Sequence, residues 1–328
     1  FGGAGNDTIS GGLGDDEFSP INVPSLKHLW SNLKTQKTDE DHDGYTLLIA
    51  CEWTDGGTAH RLAFSLALAN DRLFIKVAET TLTEGDRAPV LAYLPPFAGI
   101  SAREERTFGA VRRRRIGEGL AGAVLRNLLL DMRDENTAER KRLRGEKTKI
   151  ADPDLRALRA SDPWEVLQQT LREVFSAEVA IADFDEEYHT YIQANVVKGT
   201  VDGYLLTRHP GYNARDLMVE GSGFLQWLSV YTLATSRSVD ILLFDEPDAH
   251  LHASLQAQLV DRLRLPAERF GKQVLLATHS SEILRATDPT DILEVRQGGK
   301  FRYLKGEEQK VGLVVGIGST YAPRIERV

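Results

Sequence analysis

The 328-residue chain holds a single cysteine, Cys51. That excludes an intramolecular disulfide framework and suits a reducing cytosol. No run approaches the roughly 18 apolar residues that a membrane span needs, and no charged-then-apolar signal peptide opens the sequence. Positive charge is in the minority: 40 Lys and Arg stand against 48 Asp and Glu, a net charge of −8. Any nucleic-acid contact must therefore come from a local basic patch rather than the whole surface. Hydrophobic content of 41% excludes disorder of the whole, and the length suffices for one large domain or two smaller ones with a real core.

The most informative stretch runs from Ile241 to His252. Ile241 to Phe244 reads as a buried parallel strand, too short and uniformly apolar for an amphipathic helix. It ends on two adjacent carboxylates, Asp245 and Glu246, and Pro247 then stops the strand by removing a backbone donor. Open α/β sheets place their ligands at the carboxyl ends of strands. Two neighbouring acids repel and call for positive charge nearby. A magnesium ion carrying nucleotide phosphates meets that need, since magnesium is usually held by one or two carboxylates plus phosphate oxygens. This is a Walker B arrangement, in which Asp245 would hold the metal and Glu246 would polarise the attacking water.

A second buried-strand pattern, Lys272 to Ser280, ends on Thr278, His279 and Ser280. A helix expected from about Ala253 to Leu265, stopping near Pro266, would separate the two strands. Right-handed crossovers make such strands parallel, with their carboxyl ends on one edge, so His279 is expected near Asp245 and Glu246. Upstream, Val219 to Gln226 opens an apolar helix. The glycines flanking Ser222 expose backbone N–H groups able to hold an anion, although an ordinary helix capped by Ser222 fits as well.

In this order the three motifs resemble the ABC-type ATPases. They are most similar to the chromosome-maintenance and recombination ATPases and to the overcoming-lysogenization-defect (OLD)-like ATPases, a group of AAA-family ATP-binding proteins of bacterial defence systems. The resemblance covers roughly residues 21–296 and is most specific over 220–280. It implies that Ser222, Gly223 and Gln226 form the signature contacting the γ-phosphate on a partner subunit. It also implies that Asp245 and Glu246 are Walker B, that Asp248 to His252 is the D-loop region, and that His279 is the switch histidine. Leu91 to Gly99 and Arg115 to Gly119 look like the OLD-like branch. ATP and Mg²⁺ are the implied cofactors, and a homodimer the implied assembly. One departure stands out: the phosphate-cradling loop G-x-x-x-x-G-K-[S/T] is missing. Either a front half-lobe lies outside this stretch, or nucleotide binding in cis has been lost.

The front instead carries two tandem matches, Gly2–Ser10 and Gly11–Ser19, to the nonapeptide of repeats-in-toxin β-rolls. Asp7 and Asp16 would supply hard oxygen ligands for calcium. Two copies fall short of the three or more such repeats need, so a glycine- and aspartate-rich leader competes with that reading. Basic residues cluster at Arg112–Arg115 and again from Lys141 to Lys149. The second set reads as a solvated mixed-charge helix, and the first offers a nucleic-acid contact or a plain exposed face. No aromatic residue interleaves either run.

Three consecutive strands are expected over 45–51, 59–68 and 72–78, and another over 90–94. Helices are expected over 118–133, with the charged stretch to Lys149 extending that helix or forming a projecting arm, and from Pro163 to about Phe175. Strands are expected over 178–183, 190–197 and 201–207, and a hairpin over 291–304. The residues after Val311 give no pattern. The fold class that follows is α/β: a P-loop NTPase-like, ABC-type sheet flanked by helices, with an antiparallel β portion and a helical arm insertion about 133–160. Residues 1–19 form the leader and 20–328 a partial ATPase domain. The expected function is ATP hydrolysis in a head-to-tail dimer that switches a nuclease or toxin effector in the cytoplasm, with no membrane contact. A non-hydrolysing interaction module is the alternative, and a calcium-stabilised secreted protein the third.

Overall fold

The computed structural model describes Lys27, Trp30 and residues 46–69, 72–96, 99–296 and 300–318. The nonapeptides, the expected turns at 70–71 and 298–299 and the last ten residues lie outside the described residues. The chain divides into two units, residues 1–89 and 90–328.

In the first unit, β1 (Thr46–Asp55), β2 (Thr58–Ala69) and β3 (Arg72–Thr80) form an antiparallel sheet in the order β1-β2-β3. Gly56 and Gly57 both take positive φ between Asp55 and Thr58, the backbone that a two-residue hairpin turn requires. Trp30, Leu66 and Leu68 are buried together, with Leu47, Phe64, Leu73 and Ile75 packed around them. Arg61 on β2 pairs with Glu52 and Glu79 on the two neighbouring strands.

The second unit begins with β4 (Leu91–Leu94), α1 (Gly109–Gly117), α2 (Leu125–Arg144), α3 (Asp152–Ser161) and α4 (Pro163–Phe175). The helix expected from 118 starts later. Gly119 turns the chain at φ +77, a 3-10 turn fills 121–124, and buried Glu104 then accepts the amides of Arg126 and Asn127 at 2.9 and 2.7 Å. That remote carboxylate satisfies donors that a helix start leaves unpaired. Burial pushes the Glu104 carboxyl above its usual range, opposed by these hydrogen bonds and by the Arg126 charge. Helix α2 continues past 133 to Arg144, through most of the charged stretch expected to extend it. Asn136 on it donates to Asp162 and Glu165 at 2.9 and 3.0 Å, and Arg140 pairs with Glu165. Asp162 caps α4 by accepting from Trp164 and Glu165, with Pro163 in the first turn as expected.

A four-stranded antiparallel sheet follows, made of β5 (Ala177–Ile181), β6 (Ala194–Asp202), β7 (Leu205–Arg208) and the two-residue β8 (Arg215–Asp216). The strand expected over 201–207 is broken by a turn at Gly203, φ +58, so β6 and β7 pair as a hairpin. A side chain at Gly199 would lie 2.2 Å from the Thr207 carbonyl, which only glycine permits.

Next come α5 (Ser222–Thr235), β9 (Ile241–Asp245), α6 (Ala253–Phe270), β10 (Gln273–Ala277) and α7 (Ser281–Ala286). Strands β10, β9 and β4 form one parallel sheet in that order, with Leu94, Phe244 and Leu276 in register. One face of the sheet, carrying Ala92, Leu94, Leu242, Phe244 and Leu276, packs into the main core with Trp227, Leu228 and Tyr231 of α5 and Leu259 and Leu263 of α6. Helix α6 does not stop at Pro266. It passes through this residue and ends at Gly271, φ +63. Pro266 is buried and Phe270 packs on the core, so the last turn outweighs the hydrogen bond that proline removes. The segment closes with β11 (Leu293–Arg296), β12 (Lys300–Tyr303) and a helix that the sequence pattern did not reveal, α8 (Glu307–Gly318). Among the described residues no helix is long and apolar enough to cross a membrane.

Candidate functional site

Strand β9 places Asp245 at its carboxyl end, and the chain turns on the next residue. Glu246 takes φ +45; among the described residues, Ser176 is the only other non-glycine residue with positive φ. A side chain there costs on the order of 1–2 kcal/mol, and backbone strain of this kind clusters at functional sites. The turn is held from the neighbouring strand, since the Glu246 amide donates to the Ala277 carbonyl at 2.8 Å. Buried Pro247 then ends the strand.

Parallel pairing aligns Ala277 with Asp245, so the residues after β10 emerge beside the carboxylates. His279 Nε2 lies 3.7 Å from Glu246 Oε1, and the two side chains are 82% and 42% exposed. Thr278 Oγ1 donates to Asp248 Oδ1 at 2.6 Å. Ser280 caps α7 by accepting from the Ile283 amide, and its hydroxyl donates to Gln256 Oε1 at 2.8 Å. Gln256 in turn donates to the carbonyls of Asp248 and Leu251. One glutamine of α6 thus joins the loop after β9 to the loop after β10. Sequence reasoning missed it, because nothing in its spacing distinguishes it from a helix-surface residue.

Tyr93 was missed as well. It lies on β4, the other neighbour of β9, and its hydroxyl donates to Asp245 Oδ2 at 3.4 Å. Burial raises the Tyr93 pKa, and the Asp245 charge and hydrogen bond raise it further. Gly119 is seated against this ring: a Cβ there would lie 3.0 Å from Tyr93 Cδ1 and 3.2 Å from Pro95 Cδ. Gly119, at the end of the Arg115–Gly119 stretch, is therefore placed against β4, the neighbour of the carboxylate strand.

The remaining expected residues lie around the start of α5. Gly221 is its N-cap rather than Ser222, which is exposed in the first turn. Gly223 packs on the carbonyl of His250, where a Cβ would approach to 2.8 Å. The start of α5 and the loop after β9 are thus in direct contact. Gln226 is buried, and its Nε2 has no hydrogen-bond partner among the described residues. The structure brings Asp245, Glu246, Asp248 and His279 to one edge and sets Gly223 behind their loop. Ser222 makes no hydrogen bond to any of them. Of the basic run, Arg112 pairs with Asp131 and Arg114 with Glu118, so two of its four cations are already engaged.

The donor set fits magnesium. Asp245 and Glu246 offer hard oxygens side by side, and no lysine or arginine among the described residues pairs with either. Among the described residues no three His, Cys, Asp or Glu side chains converge as a metal cage. Such a site suits an ion that takes its other ligands from water and phosphate.

The sequence matches the family model described as "AAA domain, putative AbiEii toxin, Type IV TA system" over residues 96–285. No curated protein matches. Among solved structures, the Smc head domain with an extended coiled coil bound to the C-terminal domain of ScpA, from Pyrococcus furiosus, is 11% identical. That match covers 84% of this chain and 81% of that one, with a TM-score of 0.41. The SMC head domain from Thermotoga maritima is 12% identical over 81% of this chain and 78% of its own, with a TM-score of 0.35. At such scores neither likeness bears on activity.

Proposed function

Because the chain belongs to the AAA-domain family whose model spans residues 96–285, we propose that it is the ATPase module of an ATP-dependent switch. In this reading it binds ATP with Mg²⁺, dimerises head to tail and controls a separate effector, such as a nuclease or toxin, in bacterial defence. The observation that carries the reading is the meeting of Glu246 and His279, 3.7 Å apart, at the carboxyl edge of two parallel strands. Asp245 would hold the magnesium ion, which when bound neutralises charge on the phosphate oxygens. Glu246, half exposed and aimed by its strained backbone, would orient a water molecule and accept its proton. His279 would reach the terminal phosphate. Ser222, Gly223 and Gln226 would complete the site of a second subunit, with Asp248 relaying contact across the dimer.

A second reading is favoured by one specific observation: no G-x-x-x-x-G-K-[S/T] loop lies within residues 1–328. A fold without that cradle would signal through binding alone. The full-length protein separates the two. Under the first reading Glu246→Gln lowers ATP turnover by about 10²-fold or more while ATP-dependent dimers accumulate. Unchanged turnover would remove Glu246 from the chemistry, and absence of both nucleotide binding and turnover would establish the second reading.

A further inference from the structure

Strands β11 and β12 pair only with each other among the described residues. Their register sets Leu293 opposite Tyr303 and Val295 opposite Phe301, so strand alternation gathers these four side chains on one face. All four are exposed: Leu293 43%, Val295 73%, Phe301 72% and Tyr303 62%. The opposite face is closed by the Arg302–Glu294 ion pair. Only the root of the ribbon is buried, where Ile292 and Leu304 pack with Leu284. A two-stranded ribbon is marginal by itself, and this one leaves its apolar face without a partner among the described residues.

Charge decides what suits that face. In a chain of net charge −8, residues 293–305 carry Arg296, Lys300, Arg302 and Lys305 against a single acid, Glu294. The ammonium groups of Lys300 and Lys305 have no partner among the described residues. Cations and rings alternate along one strand, so Lys300 and Arg302 lie on the face opposite Phe301 and Tyr303, at the ribbon's edge rather than between the rings. A second copy of the chain fits less well. The four side chains expose roughly 400–500 Å², about half of what each partner of a stable interface usually buries.

We propose that this ribbon binds single-stranded nucleic acid, with Phe301 and Tyr303 each stacking on one base, Lys305 beyond the strand end holding a backbone phosphate, and Lys300 reaching round the ribbon edge from the opposite face to hold another. Residues two apart on a strand lie about 6.8 Å apart. That is about twice the 3.4 Å spacing of stacked bases, so an extended strand can lay one base on each ring. Duplexes hide the base faces that such stacking needs, so they should bind more weakly. None of these residues belongs to the carboxylate edge, so the proposal does not rest on the proposed nucleotide chemistry there.

The test is fluorescence anisotropy of labelled oligothymidylate and oligouridylate with the full chain at low salt. Expected are saturable binding that weakens with added salt and a loss of about 30-fold or more in the Phe301→Ala/Tyr303→Ala variant, since each stacked base contributes about 1–3 kcal/mol. The melting temperature should be unchanged, because neither ring is buried. Lys300→Glu/Lys305→Glu should flatten the salt dependence, whereas Arg113→Glu/Arg115→Glu on α1 should leave binding intact. Preference for thymidylate or uridylate then identifies DNA or RNA as the source. No binding of either oligomer up to about 100 µM, the weak end of non-specific binding, would overturn the proposal. So would equal binding by the ring-less variant, loss of binding only in the α1 variant, or dissociation of a dimer as the sole effect of removing the rings.

Discussion

Thr278 Oγ1 donates to Asp248 Oδ1 at 2.6 Å, joining the loop that leaves β10 to the loop that leaves β9. The bond lies between the two loops at the carboxylate edge, and its acceptor is a half-buried carboxylate. Thr278→Val keeps the shape and removes the donor. It should destabilise the protein by about 1–3 kcal/mol, the range for a charge-assisted bond whose partner is left behind. Thr278→Ser should recover most of the loss. Identical urea midpoints for valine and wild type would show that the bond contributes nothing.

Glu246 offers a test of strain. At φ +45 glycine is the relaxed residue, and alanine keeps the conflict between Cβ and backbone. Glu246→Gly should be more stable than Glu246→Ala by about 1 kcal/mol, the left-handed penalty less glycine's extra chain entropy. Both variants lack the carboxylate and should lose any hydrolysis alike. If alanine proves the more stable, the turn is not strained as the backbone indicates.

Gly223 tests the seating of α5. A methyl group would come within 2.8 Å of the His250 carbonyl, and backbone cannot swing aside as a flexible side chain would. Gly223→Ala should therefore cost about 1–3 kcal/mol, as overpacking does. Gly221→Ser is the control, since nothing lies within 4 Å of a Cβ there and serine is a favourable residue at this N-cap. Equal thermal midpoints for the two variants would remove the clash from consideration.

The carboxylate edge was legible in the sequence because its signal is local. Four apolar residues followed by two acids and a proline specify a strand end, and a second strand ending on a histidine specifies its parallel neighbour. The first strand fell within a residue of its expected bounds, and the second ended at Ala277, three residues before Ser280. Pairwise contacts between distant segments were not legible. Tyr93 reaches Asp245 across 152 positions, and Gln256 contacts Ser280 through a side chain that any helix surface could carry. Pro266 misled for a related reason. Its local rule is to end a helix, but burial of the following turn overrode it. The aromatic and basic alternation of β12 was visible as letters, but only cross-strand register shows that its rings share one exposed face.

Lys272 provides a pH test far from the carboxylates. It precedes β10, is buried, and its ammonium donates to the carbonyls of Ser236 and Val239. Burial lowers its pKa from 10.5 to about 8, with the Asp240 charge opposing the shift only in part. A neutral amine still has two N–H groups for its two carbonyl partners, so deprotonation need not break the cap. Between pH 8 and 10.5 the unfolded chain keeps this proton and the folded chain does not, so the Lys272 contribution to stability rises with pH across that window. Below pH 8 both states are protonated and the cost of burying the charge is constant. Other groups titrate in the same range, so the quantity to measure is the difference between wild type and Lys272→Met, from urea unfolding at several pH values. That difference should move in favour of wild type as pH rises through the window. A difference that stays flat would mean that the two carbonyls hold the ammonium charged in the folded state and that burial does not control this lysine.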